Sequence, residues 1–245
     1  MNHCVRHFFG AGAFNAAAAA AILSAGREFL QRKDRFTLVL SGGSTPRPVY
    51  EAMTGAGHAL DWSRTHIFFG DERCVPPEHE WSNYGMARQA LIDNVPIPPE
   101  NVHRIQGELG PEEAARAYEQ ELRDFFGSNM VPFFDMVLLG MGPDGHTASL
   151  FPGHPATREI SHWTAPVTSP PMDPRVARVT LTLPVLNAAS RVLFLLGSKG
   201  KEKVLEQALS PLPPPNLPVS MVSPTCGLPT WFVLHPKPEM NNEIH

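Results

Sequence analysis

Four short, almost unbroken apolar runs, each closing on glycine or serine, limit what this chain can fold into. They are "FTLVLS" (36–41), "THIFFG" (65–70), "FDMVLLG" (134–140) and "RVLFLLG" (191–197). Continuous apolar character over four to seven residues is that of strands covered on both faces, as in a parallel sheet. "VSMV" (219–222) and "TWFVL" (230–234) extend the series. Helical patterns lie between the runs, at 46–55, 83–92, 112–126 and 200–209. The clearest is "PEEAARAYEQELRDFF", where Pro111 suits a first helical position, acids follow it, and apolar residues recur at helical spacing. Alternation of this kind predicts an α/β fold: a doubly wound, mostly parallel open sheet with helices on both faces, Rossmann-like.

The N-terminal stretch "VRHFFGAGAFNAAAAAAILSAG" has the basic start and small residues of a secretory signal. Asn15 and the glycines interrupt it, and alanine is a strong helix former but only weakly hydrophobic. The alanines at 16–21, with Ile22 and Leu23, therefore read as a helix running towards Arg32. They are too alanine-rich for a membrane span. The 26 prolines cluster in rigid connections such as "CVPPEHEW" and "SPLPPPNLP". No internal repeat and no long linker divides the chain, so residues 1–245 read as one domain.

A net charge of −4 argues against generic nucleic-acid binding, which needs a basic face. Two or three local cations still suffice for a small anionic ligand. Three widely spaced cysteines form neither a CxxC pair nor a disulfide framework, which suits a reducing, cytoplasmic compartment. The eleven histidines read as scattered surface residues, and no metal site is expected.

Four segments follow the predicted strands and carry polar chemistry. In "LVLSGGSTPRPVYEAM" a glycine pair precedes Ser44 or Thr45, either of which can cap a helix with Pro46 in its first turn. Such a turn offers backbone N–H groups to a phosphate, or is simply a tight strand–helix connection. It is neither GxxxxGK[ST] nor GxGxxG, which disfavours a nucleotide or dinucleotide. In "FFGDERCVPPEHEWSNYGMA", Asp71, Glu72 and Arg73 sit at a strand's carboxyl end, where open α/β sheets bind ligands. They serve a site or form a local salt-bridge cluster. In "LLGMGPDGHTASLFPG", Asp144 is placed to orient His146 as a general base, and N–H groups around Gly145 are placed to stabilise an oxyanion. No GxSxG elbow is present, so a hydrolase built on this site would use water as its nucleophile. In "LLGSKGKEKVLEQAL", Lys199 or Lys201 at a helix start opposes the helix dipole and suits a ligand, whereas Lys203 reads as solvated.

These segments, with "RVARVTLTLPVLNAASRVLFLLG", run in one order across residues 36 to about 209. In that order they resemble the 6-phosphogluconolactonase family, part of a wider group that includes glucosamine-6-phosphate deaminase. "GMGPDGHTASLFPG" is the most specific segment. The resemblance implies hydrolysis of a phosphorylated sugar lactone without cofactor or metal, in the oxidative pentose phosphate pathway. It implies His146 as the base that activates water, supported by Asp144. Gly42, Gly43, Ser44 and Thr45 would cradle the phosphate, with Arg73 and Lys201 as cationic partners and Arg178 as a further contact. Lys199 stays open as an alternative to Lys201. Three departures from the family pattern stand out. Cys74 replaces an aromatic residue, "GSKGK" aligns in more than one way, and "HPKPEMNNEIH" follows "TWFVL" where an aspartate and an alanine-rich helix are usual.

A deaminase of the wider group would carry a carboxylate soon after the histidine and a tyrosine at Arg73. Here "TASLFPG" follows, which favours the lactonase. A non-catalytic phospho-sugar-binding protein could dispense with Asp144 or His146, and this chain has both. Oligomeric state is left open, and a monomer is compatible with everything above.

Overall fold

A computed structural model describes residues 4–55, 60–127 and 130–236. The strands are β1 (Cys4–Phe8), β2 (Phe36–Leu40), β3 (Thr65–Phe69), β4 (Asp71–Arg73), β5 (Met136–Leu139), β6 (Thr164–Val167), β7 (Arg178–Leu181), β8 (Arg191–Gly197) and β9 (Thr230–Leu234). The helices are α1 (Ala11–Leu30), α2 (Arg47–Thr54), α3 (Asn83–Ala90), α4 (Pro111–Phe126), α5 (Leu183–Ala188), α6 (Glu202–Leu209) and α7 (Pro218–Met221). Short 3₁₀ turns fill several connections.

Six strands form one parallel sheet in the order β1-β9-β8-β5-β2-β3. Every residue of β2 and β5 is buried, as their unbroken apolar sequences require. From β2 the chain moves outward to β3; from β5 it moves the other way, to β8 and β9. The topological switch therefore lies between β2 and β5, and the loops leaving their carboxyl ends flank the crevice where such sheets bind ligands.

Helix α1 is the alanine-rich segment. It buries Phe14, Ala18, Ala19, Ile22, Leu23, Ala25 and Gly26, and its small side chains allow close packing against α2. No helix among the described residues is long and apolar enough to cross a membrane.

The structure departs from the sequence reading in three places. Residues 219–221, predicted with Val222 as a strand, belong instead to helix α7, and Val222 follows it as the C-cap. Four residues, of which only the two valines are β-prone, hold too little periodicity to decide, and Pro218 at the first turn favours helix. Strand β1 joins the sheet edge beside β9, although "CVRHF" lacks an apolar run, because an edge strand leaves side chains exposed to water, here Cys4, Arg6 and His7. Lastly, β4, β7 and β6 make a second, antiparallel sheet. Gly70 joins the two sheets: its N–H donates to Leu40 O, and its carbonyl accepts from Leu181 N. The departure at the C-terminus falls mostly on residues 237–245, outside the described residues.

Candidate active site

A cleft of ≈ 280 Å³ opens at the switch point, lined by the loops after β2, β5 and β8 and by side chains of β4 and β7. It brings together Gly42, Gly43, Ser44, Thr45, Arg73, His146, Arg178 and Lys201. Lys199 is exposed and does not line it.

The loop after β2 begins at Ser41, which Tyr50 pins from both sides. Tyr50 Oη donates to Ser41 O at 2.8 Å and accepts from Ser41 N at 3.0 Å. Gly42 is required by close approach, since a Cβ there would lie 1.8 Å from Asn83 Oδ1. Gly43 has φ +104°, a conformation other residues rarely adopt. Contrary to expectation, neither Ser44 nor Thr45 caps α2. Its N-cap is Pro46, with no side-chain cap bond, because the loop turns one residue later than the sequence implies. Both residues line the cleft, and neither hydroxyl is spent on the helix end. Among the described residues, the N–H groups of residues 42–45 also find no protein acceptor. Such a cluster of open donors suits an anion.

Cations face this loop. Arg73 on β4 and Arg178 on β7 are direct cross-strand partners. Arg73 Nη1 donates to Trp81 O at 2.7 Å and Arg178 Nη2 to Pro174 O at 3.2 Å, yet the Nε atoms of both are buried without a partner. Burial lowers the Arg178 pKa, with Arg73 adding to the effect and Asp71 opposing it. Like charges set opposite one another are unfavourable unless an anion joins them. Lys201 Nζ donates to Met141 O at 2.5 Å, and burial lowers its pKa against the opposing influence of Asp144.

The loop after β5 presents His146. Its Nδ1 lies 2.6 Å from Asp144 Oδ1, which also accepts the His146 backbone N–H at 3.2 Å. Asp144 lines no part of the cleft and braces the ring from behind. Burial pushes the Asp144 carboxyl up, but the hydrogen bond and charge of His146 outweigh it and hold the pKa below the usual range. Gly142 makes the pair possible: a Cβ there would lie 2.0 Å from His146 Nδ1. The expected oxyanion donors around Gly145 are spent within the loop. Gly145 N donates to Gly142 O, His146 N to Asp144 and Thr147 N to Leu150 O. A tight turn satisfies its own backbone before it can serve a ligand.

The "DER" segment divides into separate roles. Asp71 lines the cleft, held by Ser149 Oγ at 2.6 Å and Asn83 Nδ2 at 3.2 Å. Glu72 instead points inward and caps α3. It accepts the N–H groups of Arg73, Asn83 and Tyr84, each at 2.7 Å, and the Ser82 hydroxyl at 3.1 Å. Burial pushes its carboxyl up to about 6, with the three backbone bonds opposing. Residue reasoning did not single out Asn83, Ala148 or Met172, which also line the cleft. Ala148 is in the left-handed region at φ +47°, a conformation uncommon for residues other than glycine. The serine–asparagine start of α3 was the available signal for Asn83. Among the described residues, no group of three or more His, Cys, Asp or Glu side chains could hold a metal ion.

Fold and site together define an α/β protein whose switch-point cleft is lined by open backbone donors, cations and an Asp-paired histidine. Residues 11–231 match the family model for glucosamine-6-phosphate isomerases/6-phosphogluconolactonase. The human 6-phosphogluconolactonase is 44% identical over 81% of this chain and 78% of its own length. That of a Nostoc strain is 44% identical over 74% of this chain and 75% of its own. The solved 6-phosphogluconolactonase of Thermotoga maritima superposes with a TM-score of 0.83 at 34% identity, covering 95% of this chain and 99% of that one. The chain belongs to the glucosamine-6-phosphate isomerase/6-phosphogluconolactonase family.

Proposed function

We propose that the protein hydrolyses 6-phospho-D-glucono-1,5-lactone to 6-phospho-D-gluconate, the lactonase step of the oxidative pentose phosphate pathway. The observation that carries this reading is one cleft holding an Asp-braced histidine opposite a cradle of unpaired donors and two facing arginines. The phosphate sits against Ser44, Thr45, Arg73, Arg178 and Lys201, and its binding energy orients the lactone. With the Nδ1 proton held by Asp144, His146 Nε2 is free to take a proton from water. The resulting hydroxide attacks the lactone carbonyl carbon. Collapse of the tetrahedral intermediate breaks the ring C–O bond, and the imidazolium returns its proton to the leaving oxygen.

No carboxylate follows His146 closely in the chain, as proton shuttling between sugar carbons would need, and Asp71 is committed to Ser149 and Asn83. Purified protein is assayed for lactone hydrolysis against the spontaneous rate, in parallel with glucosamine-6-phosphate turnover. Lactone turnover well above background supports the reading. Turnover at background, or turnover of the amino sugar instead, refutes it. We further propose a cytoplasmic enzyme that needs no metal or cofactor; undiminished turnover after chelation and dialysis is the corresponding test.

A further inference from the structure

We propose that His235 is a positioning residue for Lys201, acting through Ser198; this rests on Lys201 being a phosphate ligand. Lys201 is not comfortably placed. It is the N-cap of α6, where a cation opposes the helix dipole, and its side chain is drawn out of water into the cleft. A flexible lysine released from such a position turns to solvent, so the turn that delivers it has to be held.

That turn is Ser198–Lys201, with Gly200 at φ +73°. It borders the anion cradle, since a Cβ on Gly197 would lie 3.7 Å from Thr45 Oγ1. Ser198 is its anchor and is buried. Its N–H donates to Leu234 O at 2.9 Å, and its carbonyl accepts the Lys201 N–H at 2.7 Å. Its hydroxyl lies 3.3 Å from His235 Nδ1.

His235 is itself held on three sides. Its N–H donates to Phe8 O at 2.8 Å, its Nε2 lies 2.8 Å from His7 Nδ1, and its ring stacks on Phe9. Two neutral proton arrangements keep the chain of bonds intact. In one, His7 Nδ1–H donates to His235 Nε2 and His235 Nδ1–H donates to Ser198 Oγ. In the other, both bonds reverse. Either way the ends of β1 and β9 brace the loop that carries Lys201. The position follows "TWFVL" directly, at the carboxyl end of β9.

Steady-state kinetics on the phosphorylated lactone test the proposal, with unfolding midpoints as a control on folding. His235→Ala and Ser198→Ala are each expected to raise KM about three- to tenfold, the effect of one lost hydrogen bond, with kcat changed less than about twofold. His235→Asn returns a polar group near the Nδ1 position and recovers most of the loss. The double variant is no worse than either single one, because both break the same bond. Lys201→Ala raises KM further, and His235→Ala adds nothing on that background. If Lys201→Ala raises KM while both His235→Ala and Ser198→Ala leave it unchanged, the proposal is overturned. A KM defect that persists in His235→Asn also overturns it. If Lys201→Ala itself leaves KM unchanged, the phosphate role of Lys201 fails and the proposal fails with it. Should His235→Ala not fold, Ser198→Ala carries the same comparison.

Discussion

Replacing Asp144 by asparagine removes one charge and almost no volume, and so isolates what the carboxylate does for His146. The carboxylate has only acceptors, so the bond at 2.6 Å places the ring proton on Nδ1 and leaves the Nε2 lone pair for water. As Nε2 takes the proton, an imidazolium forms beside a full negative charge. Two unit charges about 4 Å apart at an effective dielectric near 20 attract by about 4 kcal/mol. His146 is 17% and Asp144 34% exposed, so solvent screens part of this. A charge-assisted hydrogen bond, worth about 1.5–3 kcal/mol, is the better measure. Asp144→Asn should therefore lower kcat about 10- to 150-fold. An asparagine amide can also donate to Nδ1, which moves the ring proton to Nε2 and drives the loss towards the upper figure. KM should change little, because Asp144 does not line the cleft. The native Asp144 pKa is depressed, so its stabilisation is present above the unfolded value and lost only as pH falls through the folded one. The carboxylate thus stays charged over about pH 5–8, so its own protonation does not contribute to the deficit of the variant in that window. Lactone hydrolysis corrected for the spontaneous rate measures all of this. A kcat equal to the parent's, or a deficit confined to KM, would refute the reasoning.

Other perturbations separate the remaining parts of the site. His146→Ala should lower kcat by about two to four decades, the worth of a positioned base; parental hydrolysis by this variant would exclude the assignment. Gly142→Ala forces a methyl group onto His146 Nδ1 and should lower kcat at least about tenfold with a loss of about 1–3 kcal/mol, read by kinetics and denaturant titration. Arg178→Leu relieves the repulsion with Arg73, so the ligand-free variant should unfold no earlier than the parent. Millimolar inorganic phosphate should protect the parent but not this variant, and equal protection of both would sink the paired-arginine reading. Glu72→Gln tests the buried cap through pH. Because burial raises the folded pKa to about 6, the stabilisation due to Glu72 is present below the unfolded value and lost as pH rises through 6. The stability difference between parent and variant should shift by about 2 kcal/mol in favour of the parent between pH 7.5 and pH 4.5; an unchanged difference counts against it.

The parallel sheet was legible because burial on both faces leaves an unbroken apolar signature in the chain, and four of its strands carry it. The second sheet left no such mark. Strand β4 is the charged triplet Asp71, Glu72 and Arg73, β6 contains a proline, and both exist only through pairing with β7. The Asp144–His146 pair could be read directly, because two residues of spacing in a glycine-rich turn suffice to bring the side chains together. Sequence by itself determined the α/β class, the loops that line the cleft and the pairing of Asp144 with His146. Tertiary structure alone decided the inward turn of Glu72, the placement of Lys201 rather than Lys199 in the cleft, and the absence of a Ser44 or Thr45 cap on α2. It alone set Arg73 against Arg178, more than a hundred positions apart in the chain. Local sequence specifies backbone propensity and nearby contacts, whereas a side chain's task depends on which distant strand ends beside it.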